Sequence, residues 1–127
     1  MGNPGSGKST IGREMALRGY FHVEQDVVGT PAAVRRATVA NLDTGASVVV
    51  DATHGNPKNR DPWIRIAMEH SIPCRIVWIV RDGRPFNALR LGLGEDKVPE
   101  VAYATYSKYF TEPVAGPDHS VEYVSWV

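Results

Sequence analysis

"MGNPGSGKST", residues 1 to 10, decides how the rest of this chain is read. Gly2-Asn3-Pro4-Gly5-Ser6-Gly7-Lys8-Ser9 fits G-x-x-x-x-G-K-[ST], a loop whose backbone N–H groups cradle phosphates. Its glycines let the backbone come close to a ligand with no Cβ in the way. In this role Lys8 reaches the β- and γ-phosphates and the Ser9 hydroxyl completes a Mg²⁺ shell. The whole cradle comprises Gly2, Asn3, Pro4, Gly5, Ser6, Gly7, Lys8, Ser9 and Thr10. The competing reading is a glycine-rich turn capped by Ser6 or Ser9. Such loops leave a strand and open a helix. A helix is expected directly behind, over Ser9 to Arg18, with Ile11 and Met15 four apart and Gly19 as its stop. No strand-like residues stand before the loop, so the expected scaffold lacks the strand that precedes it.

Working outward, short apolar runs alternate with helical segments. "YFHVEQ" (20–25), "SVVVDA" (47–52), "CRIVWIV" (74–80) and "VEYVSWV" (121–127) read as strands, the middle two buried on both faces. Pro31 to Leu42 and Asn59 to His70 read as helices, and Pro85 to Leu91 as a short basic one. Ala102, Tyr106, Tyr109 and Phe110 fall on one packed helical face. This alternation implies an α/β fold, a parallel sheet sandwiched by helices, of the P-loop NTPase type given its first motif. In such sheets ligands bind beyond the carboxyl ends of the strands. The polar stretches at Gly2–Ser9, Asp26, Asp51–His54 and Arg81 onward all follow strand ends.

Composition bounds the answer. With 127 residues and 43% hydrophobic content, one core and a single domain over 1–127 are expected. Formal net charge is +0, so no global field points to nucleic acid, and any such partner needs a local patch. Cys74 stands alone, which excludes an internal disulfide and suits a reducing compartment. No apolar run approaches a membrane span, and no secretory pattern opens the chain. The expectation is a soluble intracellular protein, cytoplasmic or nuclear, with no membrane partner.

Asp26 leaves the "HVEQD" strand where a carboxylate can accept a proton from an attacking hydroxyl, or else caps a turn. Strand alternation puts Glu24 on the same face, with Asp26 nearer the open end. Asp51 ends an apolar strand as a Mg²⁺-holding acid does, or as a solvated strand end. His54 is more often neither base nor ligand in such a loop. Arg60 binds either a phosphate or a neighbouring carboxylate. Arg81, Arg84 and Arg90 crowd ten residues where a lid closing over a nucleotide adds charge to the transferring phosphoryl group. The bland alternative is a solvated basic surface. Arg84 and Arg90 lie six apart, off one common face, so at least one is expected to point inward.

The ordered set "GNPGSGKST", "GYFHVEQD", "VVVDATHGNPKNR", "PCRIVWIVRDGRPFNALR" and "VPEVAYATYSKYFTEP" resembles the kinase domain of polynucleotide kinases across essentially all 127 residues. That resemblance implies ATP and Mg²⁺ as cofactors and transfer of the γ-phosphate to the 5′-OH ends of DNA or RNA. It implies Asp26 as general base, with Lys8 at the phosphates and Ser9 and Asp51 at the metal. It also implies Asp51 near the acceptor end and Arg90 as a catalytic lid residue at the nucleotide phosphates; Thr53 and Arg60 are expected on the acceptor side with Asp26, and Arg84 at the nucleotide beside Arg90. A fused or partner phosphatase domain is a further implication. The chain departs from the family at Glu24-Gln25, where Asn-Arg is usual, and at Pro85-Phe86-Asn87, where His-Asn-Asn is common. Arg35, Arg36, Lys58 and Arg60 are candidate contacts to a nucleic-acid backbone. Two rival expectations stand beside this one: a P-loop kinase of a small metabolite, which the neutral charge suits, and a non-catalytic nucleotide-binding fragment.

Overall fold

A computed structural model describes residues 1–87, 89–90 and 97–125. In chain order its elements are α1 (Lys8–Leu17), β1 (Phe21–Glu24), α2 (Gln25–Val28), α3 (Pro31–Asp43), β2 (Val48–Asp51), α4 (Pro57–Glu69), β3 (Arg75–Ile79), α5 (Arg84–Asn87), α6 (Glu100–Tyr109) and β4 (Ser120–Val124). They group into two compact units, Gly7–Ala52, and Met1–Ser6 with Thr53–Val127. The chain passes between them twice, at the Ser6–Gly7 and Ala52–Thr53 peptide bonds.

In Gly7–Ala52, the β-branched run of β2 pairs in parallel with β1, from Phe21↔Val48 to Glu24↔Asp51. Parallel pairing requires a crossover, supplied here by α2 and α3. Thr30 caps α3 by accepting the Ala33 N–H at 3.2 Å, and Pro31 takes the first-turn position where its missing N–H costs nothing. Helices α1 and α3 both pack on the strand pair. Val23 and Val34 are each 1% exposed and form its core. Beside them, the buried Thr38 hydroxyl donates to the Val34 carbonyl one turn back, at 2.9 Å.

In the other unit, β3 pairs in parallel with β4, from Arg75↔Ser120 to Ile79↔Val124. Gly2 adds an isolated parallel bridge to Ile79. The Met1 ammonium donates to the Val77 carbonyl at 2.6 Å, the Met1 carbonyl accepts the Ile79 N–H at 2.9 Å, and the Gly2 N–H donates to Thr53 O at 3.3 Å. Ile66, Ala67, Ile79 and Tyr103 are its buried apolar centre. Trp78 stacks between Phe110 and Tyr123, each ring centroid 5.3 Å away, and carries the β3–β4 pair onto the end of α6.

The strands are parallel and helix-connected as expected, but they form two separate pairs and not one continuous ladder. The strand read over 20–25 stops at Glu24, because Gln25–Val28 turn into the single helical turn α2. Alternation therefore does not carry from Glu24 to Asp26. Helix α4 starts at Pro57, ahead of the expected Asn59, since Asn56 caps it by accepting the Asn59 N–H at 3.1 Å. The basic helix expected over 85–91 is the turn α5, Arg84–Asn87; Ala88 and Leu91 lie outside the described residues. Strand β4 begins at Ser120, and residues 126–127 of the expected strand also lie outside them. On α6 the anchor is Tyr103, at 0% exposure, whereas Tyr109 of the expected face is 54% exposed. None of the described helices is long and apolar enough to cross a membrane.

Candidate nucleotide and metal site

The first half of the glycine-rich loop sits in the β3–β4 unit. Gly5 has φ +73°, and Ser6 N–H donates to Asn3 O at 3.1 Å, so the chain turns tightly there. Gly83 meets Pro4 and Gly5 backbone to backbone, leaving no room for a Cβ. Ser6 is fully buried, and its hydroxyl meets no hydrogen-bonding partner among the described residues. Gly7, at φ +100°, then forms the N-cap of α1 in a left-handed conformation that glycine adopts at no steric cost. Lys8, Ser9 and Thr10 make the first turn of that ten-residue helix. Successive N–H groups at left-handed residues and at a helix N-terminus form an anion-binding concavity. Each part of the loop by itself fits an anion: the orphaned Ser6 hydroxyl beside the positive-φ Gly5 in one unit, and the left-handed Gly7 that opens α1 in the other.

Behind α1, one face of the β1–β2 pair carries chemistry. His22 and Glu24 are two apart on β1, so both project from the same face. The register sets Asp51 opposite Glu24 on that face. His22 Nε2 lies 3.1 Å from Asp51 Oδ2, and Ser9 Oγ donates to Glu24 Oε1 at 2.9 Å. The His22 and Asp51 side chains are 12% and 5% exposed. Ligand atoms of His22, Glu24 and Asp51 all lie within 4.8 Å of one another. Gly12 makes this possible: the His22 ring packs against its Cα so closely that a Cβ there would strike the imidazole. Ser9 and Asp51, the two residues expected at a cation, thus stand in one constellation with two further donors. Asp26 is exposed on the first turn of α2.

In the other unit, the loop after β2 is pinned from several sides. His54 holds φ +46°, an uncommon conformation for a side-chain-bearing residue. Its carbonyl accepts from Arg60 Nη1 at 3.0 Å, and its ring meets Trp63 edge-on at 5.9 Å. Gly55 O accepts the Thr111 N–H at 2.7 Å. Arg60 is 7% exposed, and burial pulls its pKa down against the opposing fields of Asp61 and Tyr106. Thr53, Gly55, Asn56 and Asn59 face Tyr106 and Tyr109 across a cavity of about 310 Å³. Arg84 reaches Glu100 at 3.5 Å and lies 5.5 Å from the Tyr103 ring, while Arg81 stacks 3.7 Å over Phe86. Asn87 exchanges two hydrogen bonds with the Val98 backbone, at 2.8 and 2.9 Å. Arg90 N–H closes the next turn onto Asn87 O at 3.2 Å.

His22 escaped the sequence reading, and Glu24 entered it only as a rival to Asp26. Their spacing of two was the available signal. The β1–β2 register that brings Asp51 to them is a long-range fact that no local pattern carries.

The fold and loop together are those of a P-loop kinase. In structure the chain is similar to a gluconokinase from Sinorhizobium meliloti 1021, with a TM-score of 0.62 and 20% identity, over 98% of this chain and 79% of that one. In sequence it is similar to the bifunctional polynucleotide phosphatase/kinase of Schizosaccharomyces pombe, 31% identical over 118 residues. That match covers 89% of this chain and 29% of the relative, so the chain spans under a third of the relative's length. It bears out the likeness to the polynucleotide kinase family carried by the ordered motifs. No protein-family model matches the chain.

Proposed function

We propose that this chain is an ATP-dependent phosphotransferase that moves the γ-phosphate onto the 5′-hydroxyl end of DNA or RNA, a step of nucleic-acid end repair. The observation that carries the reading is the 31% identity over 118 residues to a polynucleotide phosphatase/kinase. The glycine cradle and the first turn of α1 hold the nucleotide phosphates, and the Lys8 ammonium neutralises the β- and γ-oxygens. Ser9 and Asp51 would hold the divalent cation, which would supply positive charge to offset that of the phosphate oxygens. Asp26 takes the proton from the 5′-OH as the acceptor oxygen bonds to phosphorus and the bond to the β-phosphate breaks. Arg84 and Arg90 add positive charge around the transferring group. Thr53 serves the acceptor side from the cavity whose Tyr106 and Tyr109 walls offer aromatic faces for a terminal base, and Arg60 braces the neighbouring loop through His54 O.

The roles separate by mutation. Asp26→Asn lowers turnover by roughly 10²- to 10⁴-fold while ATP affinity stays near wild type, since a general base acts only on the chemical step. Lys8→Ala weakens both ATP binding and turnover. Single-turnover kinetics with calorimetric ATP titration makes the distinction. An Asp26→Asn chain that keeps most of its activity removes Asp26 from the mechanism.

A further inference from the structure

We propose that the cation site of this chain is a mixed nitrogen–oxygen set, formed by His22 Nε2, the Glu24 and Asp51 carboxylates and Ser9 Oγ. It selects Mn²⁺ over Mg²⁺ and takes the metal before any nucleotide arrives. As the metal of phosphoryl transfer it rests on the kinase reading; as a binding site it stands on geometry alone.

Four donors from three elements converge, and their separations are those of a coordination shell. Two ligands each about 2.1 Å from a metal and at right angles lie about 3.0 Å apart. Across the strand pair, His22 Nε2 and Asp51 Oδ2 are 3.1 Å apart; between α1 and β1, Ser9 Oγ and Glu24 Oε1 are 2.9 Å apart. The three titratable ligand atoms all lie within 4.8 Å of one another, somewhat over the about 4.2 Å between opposite ligands of one ion, a gap that a small side-chain adjustment closes. Charge argues the same way. Glu24 and Asp51 are directly opposed in register, an arrangement that repels, and Asp51 is nearly desolvated. A dication resolves both costs at once. The loop motif points independently to Ser9, and the strand-end position to Asp51, as cation ligands, and each is already bonded to one of the other two residues.

The donor types set the preference. Mg²⁺ favours an all-oxygen octahedron that keeps several waters, whereas imidazole suits later divalent metals and Mn²⁺ accepts both nitrogen and carboxylate oxygen. On metal entry His22 ligates as the neutral imidazole, giving up its hydrogen bond to Asp51, and the Ser9 hydroxyl turns its proton away. Gly12 is what lets the imidazole reach this position.

The test is Mn²⁺ titration of the full chain without nucleotide, read as loss of the free-ion electron paramagnetic resonance signal. The expected result is one bound Mn²⁺ that Mg²⁺ displaces only at tenfold or greater excess. His22→Ala and the isosteric Glu24→Gln each weaken it at least tenfold, with circular dichroism reporting the fold. Co²⁺ adds a second readout, a visible spectrum that shifts in His22→Ala. Absence of nucleotide-free binding, or wild-type affinity in a folded His22→Ala or Glu24→Gln chain, overturns the proposal and leaves His22–Asp51 as a structural pair. Mn²⁺ bound through His22 in a chain that phosphorylates no 5′-OH end overturns the kinase reading and leaves this one standing.

Discussion

At the scale of single residues, Gly12 carries more than its missing side chain suggests. The α1 helix would gain up to about 1 kcal/mol from alanine at an interior glycine. Here that gain competes with a Cβ driven into the His22 ring, and overpacking of this kind costs about 1–3 kcal/mol. The clash wins, because the ring atom nearest that Cβ, His22 Nε2, is itself held by Asp51. Gly12→Ala therefore lowers the thermal midpoint by a few degrees, whereas an ordinary helical glycine would raise it; differential scanning calorimetry decides. The same residues show what was legible in the sequence. Lys8 and Ser9 could be named from spacing alone, because the loop motif is local and the helix start follows from it. His22 could not, because its meaning lies in Asp51, twenty-nine positions away, and in a glycine that no motif required.

Among the elements, the strands and long helices follow their apolar periodicity closely, and the departures occur where local chemistry competes. Asn56 accepts a backbone N–H and so draws the start of α4 two residues earlier than the apolar stripe implied. Gln25 and Asp26 leave the strand for a helical turn, which removed the premise that placed Asp26 by alternation. On α6, apolar spacing pointed at Tyr106 and Tyr109, but the buried anchor is Tyr103, one turn before Tyr106. Burial raises the pKa of both Tyr103 and Tyr106, with Asp82 and Glu100 adding to the effect at Tyr103 and nearby arginines opposing it. Burial raises the Cys74 thiol likewise, just ahead of β3. In each case the neutral, protonated form is the one the folded state favours. The unfolded chain ionises first, from its ordinary values of 9.0 for the thiol and 10.0 for the phenols, so stability declines as pH rises above that range. Thermal midpoints measured from pH 7 to 11 should be flat at first and fall beyond about pH 9. Tyr103→Phe should lessen the fall, and a midpoint unchanged up to pH 11 would contradict these assignments.

For the whole molecule, the claim is that a loop read from ten residues belongs to a kinase acting on nucleic-acid ends. The net charge is zero, so substrate choice rests on local groups and not on a general field. Basic residues Arg35, Arg36 and Lys58 are exposed, whereas Arg60 is turned inward to His54 O. The P-loop kinase fold is shared with a gluconokinase, and one fold serves many acceptors. Acceptor identity is therefore the measurement closest to the central claim. The chain, supplied with ATP labelled in its γ-phosphate and either Mg²⁺ or Mn²⁺, is offered 5′-OH oligonucleotides, nucleosides, sugars and sugar acids together. The expected result is label on the oligonucleotide 5′ end, suppressed by added salt and absent with Asp26→Asn. Label appearing instead on a small sugar or sugar acid, or on no acceptor while ATP still binds, would contradict it.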